Sequence, residues 1–161
     1  MTYIFIEFLF VDLLLIHFLS LLLHDYVDLY PLNDVESARI NISPVKRIIH
    51  TLIKTIPALA VLILAVLYFG EWKPFGVRII MFAYFSVWLM VIYLLWYKPY
   101  FFGTGDEQKL NFQTNFGRTH QILPAIKDNP RPNTLHFILH ILFFINFLLM
   151  LLCGYNPARS F

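Results

Sequence analysis

Residues 118–140, RTHQILPAIKDNPRPNTLHFILH, form the most punctuated polar segment of a very apolar chain and run straight into its last long hydrophobic stretch. Pro124, Pro130 and Pro132 interrupt any helix before this point, because each lacks a backbone N–H and fixes φ. Asn133 or Thr134 then offers the short polar side chain that caps a helix. From there to Cys153 no charged residue occurs, and about 20 apolar residues suffice to cross a bilayer. The reading is a span over 134–153, entered from a structured polar connection.

The same test applied upstream finds three more spans. The first covers about 4–23. It belongs to an N-terminal stretch, MTYIFIEFLFVD, with neither a positive leader nor a small-residue cleavage site, so it reads as a retained membrane helix. The second covers 46–69, with Ser43 as N-cap, Pro44 in the first turn, Pro57 as a point of kinking and Gly70 as the stop. The third covers 77–96 and ends where YKPY reaches Pro99. In the polar connection after it, Thr104 and Glu107 have capping-box spacing and Gly117 can close a short amphipathic helix lying on a membrane surface. The predicted fold is an all-α integral membrane protein over 1–161, one four-helix domain.

Composition agrees. The chain is 59% hydrophobic and only 14% charged, against about 25% charged for soluble domains. A net charge of +2, with no basic block longer than Lys46-Arg47, excludes nucleic acid as the expected partner. The lone Cys153 reads as a small buried apolar residue, and no GxSxG, P-loop or GxGxxG occurs. The expected surroundings are a lipid bilayer and either a homo-oligomer or a larger membrane complex.

Four spans put the first and third connections on one side. That side carries Arg39, Lys46, Arg47, Lys54, Lys98, Lys109, Arg118, Lys127 and Arg131, against Lys73, Arg78 and Arg159 on the other. The positive-inside rule then sets both termini outside the cytoplasm.

This topology gathers all six histidines, His17, His24, His50, His120, His136 and His140, toward the side of the long connections. By helical rise, His17, Lys54 and His140 each lie about 9 Å inside the same boundary. They form the expected buried layer of a site whose mouth is Arg118, His120, Arg131 and His136. Such a site suits a lipid-like or anionic ligand, with the cations and a helix N-terminus meeting the anion. The ordinary alternatives are snorkelling cations and a solvated loop. His136 and His140, four residues apart, also permit a metal or haem completed by His17, His24, His50 or His120.

Asp12, Ser86 and Asn146 fall near the centre of their spans, and Glu7 is at the depth of Arg78, with which it is expected to pair. An Asp at a helix centre costs about 2.5–3.5 kcal/mol, so Asp12 should face the bundle interior or be protonated. Three function classes follow. The first is a complex subunit or binding module for an amphiphilic anion. The second is a membrane enzyme on a lipid or isoprenoid-like substrate using Asp12, His17 and His140. The third is a proton-coupled transport subunit.

Overall fold

The computed structural model describes residues 2–154. Among them the fold is all-helical: α1 (Thr2–Leu23), α2 (Val35–Asn41), α3 (Pro44–Leu67), α4 (Phe75–Ile92), a π-helical turn (Tyr93–Tyr97), α5 (Lys98–Phe102), α6 (Asp106–Phe116) and α7 (Thr134–Gly154). Four helical segments are long and apolar enough to cross a membrane: Tyr3–Leu23, Pro44–Leu67, Phe75–Phe102 and Thr134–Cys153. Arg159, one of the cations counted above, lies outside the described residues.

Helix α1 is the hub of the bundle. Its residues Glu7, Phe10, Leu14 and His17 recur at intervals that keep one face inward, and all four are buried, as is His24 in the turn just past its end. This face packs on α7 and α3, while α4 closes against α7. Small residues Ala58 and Ala65 let α3 come close. Phe85 and Phe143, whose rings stand 5.0 Å apart, fill the centre between α4 and α7. Asn146, wholly buried on α7, donates through Nδ2 to the backbone oxygens of Leu142 (2.9 Å) and Leu13 (3.3 Å), which locks α7 to the middle of α1.

Two start signals operate as local chemistry requires. Ser43 Oγ accepts from the Lys46 N–H at 3.4 Å, and Asn133 Oδ1 accepts from the His136 N–H at 2.9 Å. Helix α3 continues through Pro57 and gives way to a turn containing Gly70, whose φ of 72° favours a residue without a Cβ. Cys153 is buried, and Tyr3 Oη donates to its backbone oxygen at 2.6 Å.

The third span departs from expectation at its end. Pro99 does not terminate it; helix continues to Phe102. The π turn immediately before lets the Lys98 N–H reach back to Tyr93 O. Pro99 then falls in the first turn of α5, where a missing N–H is tolerated. Helix α6 begins at Asp106 with Gly105 as its cap, and the Thr104 hydroxyl bonds Gln108 instead of closing a box with Glu107. Its Phe112 and Phe116 pack on Trp96, at ring distances of 5.2 Å each, so α6 folds against the end of the bundle. Helix α2 lies in a connection that reads from sequence as a loop or an interfacial segment.

Glu7 does not pair with Arg78. Its carboxylate takes the Lys73 ammonium, and the Gly70 N–H at 2.7 Å, from the connection between α3 and α4. Lys73 projects from the turn itself, whereas Arg78 lies in α4 with its guanidinium over the Trp72 ring at 4.8 Å. Both members of the pair are almost wholly buried, so removing one strands the other charge. Glu7→Leu or Lys73→Leu should each cost about 3–5 kcal/mol. The double replacement should recover most of that loss, read as a double-mutant cycle on unfolding in detergent.

Candidate functional site

At the end of the bundle that carries the two long connections, α1, α3, α4 and α7 enclose a cavity of about 170 Å³. Helix α1 contributes His17 and Leu21, the turn that follows it contributes His24, and α3 contributes Lys54. The wall from α4 and the π turn is apolar and aromatic, including Tyr84, Trp88, Leu95 and Trp96. Helix α7 completes it with His136, Leu139, His140 and Phe143.

The polar groups are tied together at the boundary of α1. Nδ1 of His24 lies 3.2 and 3.1 Å from the backbone oxygens of Ser20 and Leu21, which only accept, so this nitrogen carries the proton. Nε2 is therefore an acceptor in the neutral ring, and the Lys54 ammonium stands 3.1 Å from it. The same ammonium donates to Asp25 Oδ2 at 2.6 Å, and Thr51 Oγ1 donates to that oxygen at 2.9 Å. Asp25 Oδ1 is 3.1 Å from His24 Nε2, so a second proton on His24 would find a carboxylate waiting.

Burial, and then the Lys54 ammonium, lower the pKa of His24, and Asp25 only partly offsets them. For Asp25, burial pushes upward, but His24, Lys54 and their hydrogen bonds outweigh it and hold the carboxyl below its ordinary range. At neutral pH the cluster is a neutral imidazole, an ammonium and a carboxylate.

His136 is oriented by its own helix cap. Asn133 Oδ1 accepts from the His136 backbone N–H, which fixes the amide orientation, and lies 2.7 Å from Nδ1. His136 thus carries its proton on Nδ1. Its ring lies 4.3 Å from Trp96, 5.3 Å from Phe116 and 5.8 Å from His24. His17 contacts Phe143 at 5.2 Å, and His140 lies between Trp96 (5.7 Å) and Tyr97 (5.6 Å). In both His17 and His140, Nδ1 is buried without a hydrogen-bond partner.

Of the predicted residues, the structure brings His17, His24, Lys54, His136 and His140 to one cavity. The three predicted for the mouth beside His136 are used elsewhere. Arg118 Nε stands 3.5 Å from Asp34. His120 Nδ1 is 2.7 Å from the Thr134 hydroxyl, and the His120 N–H donates to Pro31 O at 2.7 Å. Arg131 donates to Leu123 O at 3.1 Å. These contacts staple the two long connections to each other and to the start of α7. Arg118 thus faces a carboxylate, the His120 N–H and Arg131 meet loop carbonyls, and none of the three lines the cavity.

Exposed His50 takes no part. Asp12, five residues before His17, lies on a different face of α1, which separates it from the histidines. Among the described residues no three His, Cys, Asp or Glu side chains gather as a metal-ligand set. Asp25, Trp88 and Trp96 belong to the site without having been singled out. The signal for Asp25 was an acid directly after a histidine at the end of a span.

No protein-family model, no curated protein and no solved structure matches the chain, so the site is argued on its own chemistry.

Both lowered pKa values act in one direction. The unfolded chain binds protons that the folded cluster resists, so stability is full above the unfolded pKa and falls as pH drops. For His24 the loss begins below its ordinary 6.5; for Asp25 it begins below 3.8. Melting in detergent should therefore drop between pH 7.5 and 5.5, and His24→Gln should flatten part of that slope. An unchanged slope in the variant would remove His24 from the account.

Proposed function

We propose that this is a multi-pass membrane protein whose cavity binds the polar end of an amphiphilic anion, with the apolar body of the ligand against the aromatic wall of α4 and α7. The observation that carries this reading is the composition of the cavity. One edge holds Lys54 and His24, two further imidazoles have unpartnered buried nitrogens, and the opposite wall is aliphatic and aromatic. Buried polar atoms without partners are unfavourable, and a ligand that supplies acceptors relieves that cost. Such mixed lining is the usual make-up of a small-molecule site.

Lys54 already contacts Asp25, so an incoming anion competes with that carboxylate for the ammonium. This gives the proposal opposite signs in two variants. Trp88 and Trp96 line the cavity and report on it by fluorescence. Dodecyl phosphate added to protein in a neutral detergent should change their emission saturably. Lys54→Met should weaken that response about tenfold, and Asp25→Asn should strengthen it. An equal response to dodecanol, or the same affinity in wild type and both variants, would sink the reading.

The enzyme and transport classes find less support. Asp12, the acid each relied on, stands away from the histidines.

In the proposed orientation the long connections face the cytoplasm and the termini face outward. The basis is the excess of Lys and Arg in those connections. A cysteine replacing Lys109, on α6, should resist an impermeant thiol reagent applied to intact cells and react once the membrane is opened. Labelling of intact cells would reverse the orientation.

A further inference from the structure

The buried residues of α1 lie on one face, and the exposed ones, Phe5, Phe8, Leu9, Leu15, Ile16 and Leu19, lie on the other. At about 100° per residue, Asp12 falls in the middle of the exposed set, roughly opposite the stripe through Phe10, Leu14 and His17. Its side chain is half-buried. Among the described residues no hydrogen bond or ion pair reaches its carboxyl.

A carboxyl at the middle of an apolar span, turned away from its own bundle, is an unfavourable lipid contact. It stops being one when another helix covers it. We infer that the outward face of α1 around Asp12 is an interface for a transmembrane helix of a different chain that carries a lysine or arginine at mid-span.

Charge complementarity selects this occupant. A second copy pairing its α1 face by two-fold symmetry sets Asp12 against Asp12. Nor, among the described residues, does a Lys or Arg of the long helices lie at that level. Lys46, Arg47 and Lys54 lie near one end of the bundle, and Lys73 and Arg78 near the other. The flanking Phe8, Leu9, Leu15 and Ile16 give the visiting helix apolar surface on both sides of the ion pair. This inference is independent of the cavity, which opens on the opposite side of α1.

The test reconstitutes the full chain in phosphatidylcholine vesicles with a dansylated, tryptophan-free 21-residue Leu/Ala helix bearing one central lysine. Energy transfer from Trp72, Trp88 and Trp96 reads association. The lysine peptide should associate at least tenfold more strongly than the same peptide with central leucine. Asp12→Leu, a change on the exposed face that leaves the core stripe intact, should abolish the difference. Equal association of the two peptides with wild type, or an undiminished lysine preference in Asp12→Leu, would overturn the inference. So would a dimer of the chain alone that survives dilution in lipid and is lost in Asp12→Leu, because the face would then belong to a second copy.

Discussion

The inward stripe of α1 sets the register of the bundle, because charged ties stand at both of its ends with Phe10, Leu14 and the ring of His17 between. Glu7 is held by Lys73 and Gly70 at one end, and the His24–Asp25 corner is held by Lys54 at the other. Apolar side chains slide past one another at little cost, whereas a displaced buried charge loses its partner outright. With both ends of α1 pinned, Phe10 and Leu14 have one way to meet Phe85 and Phe143. The two ties also join different neighbours: the first holds the turn between α3 and α4, the second holds the beginning of α3.

The cavity is a consequence of how α4 and α7 finish. The π turn widens the helix just where Trp96 projects, and Trp96 takes up a position against His136 and His140 with α6 packed behind it. Asn133 does two tasks at once, capping α7 and fixing the His136 ring. The histidines are thus set by helix-end chemistry on α7 and by backbone carbonyls on α1. Lys54 is the one cation among them, and its charge is shared with Asp25.

The four long apolar helices were legible because length, hydropathy and helix punctuation point the same way at each: Ser43-Pro44, Gly70 and Asn133 mark boundaries where backbone groups need special partners. Helical rise alone placed His17, Lys54 and His140 at one depth, and all three line the cavity; His136 was read with the mouth and lines it too. Rise gives depth but not azimuth, so it could not say whether Asp12 faces inward, and the side chain stands off the inward stripe. The missing signal was the spacing of Glu7, Phe10, Leu14 and His17, which leaves Asp12 off the stripe. Glu7 was matched to Arg78 by the same depth argument; the ammonium that reaches it comes from a turn, where hydropathy says nothing about direction. Arg118, His120 and Arg131 were read by charge as a mouth, whereas in the fold Asp34, the Thr134 hydroxyl and a loop carbonyl take up their side chains. The π turn had no sequence signal beyond a proline that failed to end its helix.

Helices α1 and α7 are the most intimate pair in the fold, joined from Tyr3 at Cys153 to His24 beside His136, yet they are the first and last long helices along the chain. Every ribosome making this protein therefore extrudes α1 more than a hundred residues before its chief neighbour exists. Until then Asn146 is unmade, and the backbone of Leu13 and the imidazole of His17 stand without their eventual company. Assembly order consequently places a premium on α3, the first neighbour to arrive, whose Lys54 can engage Asp25 while the nascent chain is still being threaded.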